Sequence, residues 1–102
     1  MTTASGRLEM DTQLPEGWTR LGLWLWAIDI GPAPGQTTIR WDIRNRLFDS
    51  HLGMIHWFPR WRQYCFWPTE DSVFSADYLD AIQQFLKTQN AEHRNERQGG
   101  LT

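Results

Sequence analysis

A stretch of twelve residues near the middle of the chain, residues 56–67, constrains the fold more than any other feature. It contains three of the chain's seven tryptophans, together with two phenylalanines, a tyrosine and two arginines. The alternation of side chains on both sides of Pro59 is typical of two β-strands. Proline fixes its own φ and has no N–H to donate, so Pro59 belongs to the connection between the strands. The pattern predicts an antiparallel hairpin with an aromatic loop at residues 58–61.

Two segments before this hairpin predict further strands. Residues 37–46 alternate strictly between apolar and charged side chains, as in a half-buried strand. Residues 21–30 are apolar on both alternating faces, which favours a strand that is covered on both sides. A short buried helix and an amphipathic membrane-binding segment are the alternatives, although the basic polar face of a membrane-binding helix is missing. Residues 31–35 and 49–51 are predicted turns.

The C-terminal part of the chain predicts one helix. Ser75 suits the N-cap position, and Asp77 places a negative charge in the first turn, where the helix dipole favours it. The apolar stripe has the helical spacing of three and four residues and comprises Tyr78, Leu79, Ile82, Phe85 and Leu86. The residues after Lys87 are polar, and Gly99 with Gly100 is predicted to end the helix.

Together these elements predict an α+β fold. We expect a small antiparallel β-sheet of three to four strands in a meander, with one C-terminal α-helix packed on one face. The predicted organisation is a flexible N-terminal arm at residues 1–17, a single domain at residues 18–90 and a polar C-terminal tail at residues 91–102. The apolar residues 23–30 exceed what one small sheet and one helix can cover, so we also expect a homo-oligomer.

Composition and charge exclude several classes of protein. The chain of 102 residues has a formal net charge of −2, so it lacks the general positive field with which proteins hold long nucleic acids. The single cysteine, Cys65, excludes an intramolecular disulfide and favours a reducing compartment. No apolar run approaches the ~18–20 residues of a membrane span, and residues 1–10 lack the features of a signal peptide. We therefore expect a cytoplasmic protein with no membrane partner.

The residue types that usually carry catalysis or bind metals are scattered along the chain. His51, His56 and His93 lie on different predicted elements, without the spacing of metal ligands. Cys65 lies among bulky aromatic residues of a strand, where a thiol is usually an inert apolar group. The glycines form no phosphate-binding loop before a helix. The expectation is a protein that is not an enzyme, with no catalytic residues, no metal and no cofactor.

The pattern favours recognition of a ligand or a partner. Aromatic faces stack on bases, and arginine holds a phosphate or carboxylate with two parallel hydrogen bonds. The residues predicted to bind a ligand belong to the hairpin and one neighbouring strand, namely Trp57, Arg60, Trp61, Arg62, Tyr64, Trp67 and Arg44. The same residue types dominate protein–protein hot spots. A small nucleotide-like anion and a protein partner therefore both remain open.

The hairpin and helix patterns together resemble a group of small proteins from phages and integrated mobile elements. The likeness covers residues 52–90 and is carried by Trp57, Phe58, Pro59, Arg60, Trp61, Arg62, Tyr64, Phe66 and Pro68, followed by Val73, Phe74, Leu79, Ile82, Phe85 and Leu86. It implies a small phage-type accessory protein that acts in the host cytosol, where it sequesters a ligand or inhibits a host defence protein. A protein–protein interaction module that inhibits a host protein directly, and a structural or self-assembling phage component, are the alternatives.

Overall fold

The computed structural model describes residues 14–101, with side chains for residues 14–96. Its elements are β1 (Trp18–Leu21), β2 (Leu25–Pro32), β3 (Ile39–Asn45), β4 (His51–Phe58), β5 (Gln63–Pro68) and α1 (Ala76–Leu101). The strands form one sheet in the order β1-β2-β3-β4-β5, and every neighbouring pair is antiparallel. The predicted α+β fold, a meander sheet with a C-terminal helix, is confirmed, but the sheet has five strands rather than three to four.

The additional strand comes from the apolar segment at residues 21–30, which does not form the single strand that its pattern predicts. A turn at residues 22–24 separates β1 from β2. Gly22 opens this turn with a φ of +59°, a left-handed conformation that glycine adopts without steric cost. Leu23 and Trp24 are therefore exposed in a turn, at 68% and 39%, instead of being covered on both sides.

The hydrophobic core lies between one face of the sheet and α1. Its side chains alternate along the strands because successive strand residues point to opposite faces. The buried apolar residues are Leu21, Leu25, Ala27, Trp41, Ile43, Leu52, Ile55, Tyr64, Ile82 and Phe85. Full burial of an aliphatic side chain such as Ile43 or Ile55 contributes roughly 1.5–3 kcal/mol. We call this side of the sheet the helix face and the opposite side the open face.

Helix α1 begins as the sequence predicts. The Tyr78 amide donates a hydrogen bond to the Ser75 hydroxyl at 3.2 Å, which makes Ser75 the N-cap. Four residues of the predicted apolar stripe pack in or against the core, namely Tyr78, Ile82, Phe85 and Leu86. The fifth, Leu79, is half exposed.

The far end of the helix differs from the prediction. α1 continues through Gly99 and Gly100 to Leu101, so these glycines do not end it and residues 91–101 are helical. Asn90 and His93 both contact the sheet, Asn90 by hydrogen bonds to Tyr64 and His93 by a ring contact with Trp57. Contacts made along a helix stabilise it more than intrinsic propensity does, and those of Asn90 and His93 extend the packed part of α1 beyond Leu86, the last residue of the predicted stripe.

Part of the predicted N-terminal arm, residues 1–13, lies outside the described residues. The remainder, residues 14–17, is attached to the sheet, because the Asp29 amide donates to the Gly17 carbonyl at 2.7 Å. A turn also links the Trp18 amide to the Pro15 carbonyl at 3.0 Å. No helix of residues 14–101 is long and apolar enough to cross a membrane.

Candidate functional site

Two of the seven side chains predicted to bind a ligand, Trp57 and Tyr64, belong to the helix face. They pair across β4 and β5, with ring centroids 5.2 Å apart. The ring of Trp57 also lies 4.5 Å from that of His93 on α1. Tyr64 is only 7% exposed, and burial raises the pKa of its phenol above the ordinary value of 10.0. Both rings therefore serve mainly to pack α1 on the sheet.

Arg44 lies on the open face, but its guanidinium group is already occupied. Its Nη1 is 3.0 Å from a carboxylate oxygen of Asp42, and its Nε is 2.9 Å from one of Asp49. The hydrogen bonds that Arg44 donates to these carboxylates, the one to Asp42 first, raise the pKa of Arg44. Asp42 is also bonded to the ring of His51. An incoming anion would have to compete with two carboxylates for this cation.

The turn between β4 and β5 holds Arg60, Trp61 and Arg62. The amides of Trp61 and Arg62 donate to the Phe58 carbonyl at 3.1 and 2.9 Å, and Arg62 has a φ of +56°. Trp61 is 64% exposed. Neither arginine takes part in an ion pair within residues 14–96. This turn therefore offers one large aromatic face and two guanidinium groups to a ligand.

Trp67, the remaining predicted residue, connects to this turn through a series of rings on the open face. Its ring stacks on that of His56, with centroids 4.3 Å apart and planes within 9°. The ring of Phe58 lies 5.4 Å from Trp67 and 4.9 Å from Trp61, edge to face in both cases. Sequence reasoning did not include His56 and Phe58 in the site. The alternation of β4 predicts that His56 and Phe58 lie on one face of the strand together with Met54. Met54 pairs with Trp67 on β5, so all four side chains share the open face.

A groove of about 540 Å³ runs beside this turn, along the outer edge of β5 between that strand and α1. Trp61 lines it at the turn, and the apolar side chains of Phe66 and Leu86 line it further along. Lys87 and Arg94 line it from the helix. We call this the β5 groove.

Asn90 fixes the relative position of the two walls of the β5 groove. Its side-chain oxygen accepts a hydrogen bond from the Tyr64 amide at 2.7 Å, and its side-chain nitrogen donates to the Tyr64 carbonyl at 3.3 Å. These are the two backbone groups that another strand would use, so the amide blocks strand addition at this point of the edge. The groove is therefore open to a side chain or small ligand rather than to a pairing strand.

Lys87 and Arg94 were not predicted as site residues, because the residues after Lys87 form a polar run typical of a solvated helix. The missed signal is their spacing. Lys87, Asn90 and Arg94 are three and four residues apart, which places them on one side of a helix. Arg60 and Arg62 adjoin Trp61 in the turn, and Lys87 and Arg94 line the groove that Trp61 also lines. None of these four cations has an ion-pair partner among the described side chains.

Comparison with known proteins adds no family to this picture. No family model, curated protein or solved structure matches this chain. The chemistry of the β5 groove and its adjoining turn is therefore the basis on which a function can be assigned.

The side chains at this groove include an exposed aromatic ring, that of Trp61, and two cations, Lys87 and Arg94. Within residues 14–101, no group of three or more His, Cys, Asp or Glu side chains is arranged to hold a metal ion. Burial raises the pKa of the Cys65 thiol, the one nucleophilic sulfur of the chain. A thiol with a raised pKa stays protonated and is a weak nucleophile. Trp61 and the four cations, by contrast, offer stacking and charge neutralisation.

Proposed function

We propose that the protein is a non-enzymatic binding protein that holds a nucleotide-like anion in the β5 groove. The observation that supports this most is the exposed ring of Trp61, which lines the groove together with Lys87 and Arg94, two cations without ion-pair partners among the described side chains. Stacking of a base on an aromatic side chain contributes roughly 1–3 kcal/mol. A compact nucleotide needs few cations, so the proposal is compatible with a net charge of −2.

The lining side chains suggest a role for each part of such a ligand. The base would stack on Trp61, and its polar edge would meet the amides of Gln63 and Gln83, which also line the groove. The phosphate would lie between Lys87 and Arg94, on the helix side. Lysine acts there as a compact charge, whereas arginine can bind two phosphate oxygens at once.

The resemblance of the hairpin to small phage proteins supports a setting for this activity. A phage-type protein that binds a nucleotide stoichiometrically would withdraw it from a host defence factor. Sequestration needs no catalysis, only an affinity high enough to compete with the host receptor.

Isothermal titration calorimetry tests this proposal. Nucleoside mono- and diphosphates, cyclic nucleotides and cyclic dinucleotides are titrated into the protein, with inorganic phosphate as the reference anion. We expect saturable binding of at least one nucleotide class and much weaker binding of phosphate alone, because phosphate cannot stack. Trp61→Ala should weaken binding about 5- to 150-fold, which corresponds to the loss of ~1–3 kcal/mol.

A matched control separates the site from a general effect of removing an indole. Trp18→Ala removes a half-buried tryptophan of β1, outside the β5 groove, and should bind as the wild type does. The double variant Lys87→Ala/Arg94→Ala should bind more weakly and with a smaller dependence on salt. The proposal fails if no nucleotide of the panel gives saturable binding, or if Trp61→Ala and Trp18→Ala have the same affinity.

A second candidate function, direct binding of a host protein, is favoured by a different surface. The β1–β2 and β3–β4 turns are joined by a hydrogen bond of 2.8 Å from the Arg46 amide to the Trp24 carbonyl. The joined turns expose four large apolar side chains, Leu23, Trp24, Leu47 and Phe48. Turns are usually polar, and exposed apolar clusters typically mark interaction surfaces. If this surface carries the function, Phe48→Ser should abolish capture of a host protein that Trp61→Ala still captures.

A further inference from the structure

A second groove, of about 700 Å³, lies on the other side of α1, between the helix and the β1–β2 hairpin. Its apolar lining includes Leu23, Trp24 and the edge of Phe85. Leu23 and Trp24 are exposed, so a substantial apolar surface in this groove is in contact with water. Burial of such a surface in a contact is favourable in proportion to the apolar area that is removed from solvent.

The helix side of this groove is acidic. Asp77, Asp80 and Glu92 all line it, and none of the three has an ion-pair partner among the described side chains. Asp77 and Asp80 are three residues apart, so they lie on one side of the helix with an axial separation of about 4.5 Å. The cation on the strand side, Arg20, lies over the ring of Trp26 at 5.9 Å. We call this the acidic groove.

The β4–β5 turn has the complementary chemistry. It presents the exposed indole of Trp61 between two arginines that have no ion-pair partner in the described part of the chain. Arg60 and Arg62 are two residues apart, a span of at most about 7 Å. Asp77 and Asp80 have a backbone spacing of the same order, about one helical turn. An indole flanked by two cations therefore matches an apolar groove with a pair of anions on its rim.

From this match we infer that the acidic groove binds the β4–β5 turn of a second copy of the protein. Trp61 would enter the apolar part of the groove beside Trp24, and Arg60 and Arg62 would pair with Asp77 and Asp80. An anionic lipid surface is a poorer occupant, because the carboxylates on the rim would repel it. An apolar peptide without basic residues would leave those carboxylates unpaired.

The two surfaces cannot meet within one molecule. The register pairs Leu21 with Leu25 at one end of the sheet and Phe58 with Gln63 at the other. The β1–β2 turn and the β4–β5 turn therefore lie at opposite ends and on opposite edges. A contact between unlike surfaces of two copies is heterologous, so repetition of this contact would give a closed ring or an open chain of subunits.

Sedimentation velocity with the full chain, in the absence of any nucleotide, tests the inference. The wild type should show a mass that increases with protein concentration. A turn variant, Arg60→Ala/Trp61→Ala/Arg62→Ala, and a groove variant, Asp77→Asn/Asp80→Lys, should each remain monomeric where the wild type associates. An equimolar mixture of the two should form a 1:1 complex and nothing larger, because it contains one intact turn and one intact groove.

This complementation distinguishes the proposed contact from any other. A symmetric interface elsewhere, such as the open face, would leave both variants associated, and that result would overturn the inference. A wild type that stays monomeric up to millimolar concentration would also overturn it. Far-ultraviolet circular dichroism checks that each variant folds, and Gln84→Trp, which fills the acidic groove from an exposed helix position, provides a second groove variant. The experiment contains no nucleotide, so its outcome is independent of the proposed ligand.

Discussion

The two grooves that flank α1 differ in sign of charge, although one helix forms a wall of each. The β5 groove carries Lys87 and Arg94, whereas the acidic groove carries Asp77, Asp80 and Glu92. The helix thus divides its charged side chains between the two edges of the sheet. Because each groove also exposes a tryptophan, the difference in charge rather than in apolar surface decides which ligand suits which groove.

The grooves also differ in how the helix is joined to the neighbouring strand. At the β5 edge, the Asn90 side chain bonds to both backbone groups of Tyr64. At the β1 edge, α1 packs closely against the β1–β2 turn, since a Cβ placed on Gly22 would lie 3.2 Å from the Cβ of Ala81. The two hydrogen bonds between Asn90 and Tyr64, which we call the polar clamp, hold the helix at the β5 edge. Close packing of Gly22 against Ala81 holds it at the β1 edge, so different substitutions should loosen the two sides.

The proposed ligand site and the proposed contact between copies share Trp61. If both proposals hold, a nucleotide in the β5 groove and the acidic groove of a second copy compete for one indole. Nucleotide binding would then favour the monomer, since a ligand stabilises the state to which it binds more tightly. Arg60 and Arg62 would lose the carboxylates of the neighbour, while Lys87 and Arg94 would hold the phosphate of the ligand.

The largest difference in stability between the two sides of the helix is expected when two adjacent residues, Phe85 and Leu86, are each replaced by alanine. Phe85 borders the acidic groove, is 7% exposed and packs edge to face on Trp41 at 5.2 Å. Leu86 borders the β5 groove and is only partly buried. We expect Phe85→Ala to lower the free energy of unfolding by about 3–5 kcal/mol and Leu86→Ala by less than about 2 kcal/mol. Urea unfolding followed by fluorescence measures both free energies, and equal losses would contradict the deeper burial of Phe85.

A second comparison concerns the steric fit at the β1 edge. Gly22→Ala introduces a side chain at φ +59° and brings its Cβ within 3.2 Å of Ala81. Gly35→Ala is the matched control, because Gly35 has φ +79° but no atom within 4 Å of the added Cβ. The left-handed conformation costs each variant about 1–2 kcal/mol, and we expect Gly22→Ala to lose up to ~1 kcal/mol more. Thermal unfolding measures the difference. Variants of equal stability would mean that the helix does not press on the β1–β2 turn.

Loss of the polar clamp at the β5 edge should have a smaller effect. Asn90→Ala removes two hydrogen bonds and leaves the Tyr64 backbone groups to water, which should cost about 1–2 kcal/mol. Hydrogen exchange at the Tyr64 amide should become faster while exchange in β3 is unchanged. Gln83→Ala, an exposed substitution in the same groove, is the control and should stay within about 0.5 kcal/mol of the wild type. An unchanged Tyr64 amide in Asn90→Ala would show that the clamp is not what protects this edge.

The sequence predicted the parts of the fold in which local and tertiary preferences agree. The hairpin at β4 and β5 combines strict alternation with a proline at its turn, and α1 combines an N-cap at Ser75 with an apolar stripe. The β1–β2 turn was missed because Gly22 is a weak turn signal inside an otherwise apolar run. Apolar residues on both alternating faces indicate a covered strand as readily as a turn that leaves Leu23 and Trp24 exposed.

The candidate site was only partly predictable for a different reason. Trp61 and its neighbouring arginines are close in sequence, so their proximity could be predicted from the hairpin alone. The inward orientation of Trp57 and Tyr64 could not, because it depends on which face of the sheet the helix covers. Lys87 and Arg94 join Trp61 only through the path of α1 across the sheet, and that path depends on long-range packing rather than on local pattern.

The smallest expected effect is the pH dependence of stability that arises from the buried phenol of Tyr64 at the β5 edge. Burial raises the pKa of Tyr64 in the folded protein above its ordinary value of 10.0, so in alkali the unfolded chain loses its proton first. The unfolded state then binds fewer protons than the folded state, and stability falls as the pH rises through 10. At pH 10.5 this loss is at most about 0.8 kcal/mol. Burial also raises the pKa of Cys65, so the comparison is made between Cys65→Ser and Cys65→Ser/Tyr64→Phe. Chemical unfolding at pH 8.5 and 10.5 should show a larger loss in the protein that retains Tyr64, and equal losses would place the Tyr64 hydroxyl in water rather than beneath the helix.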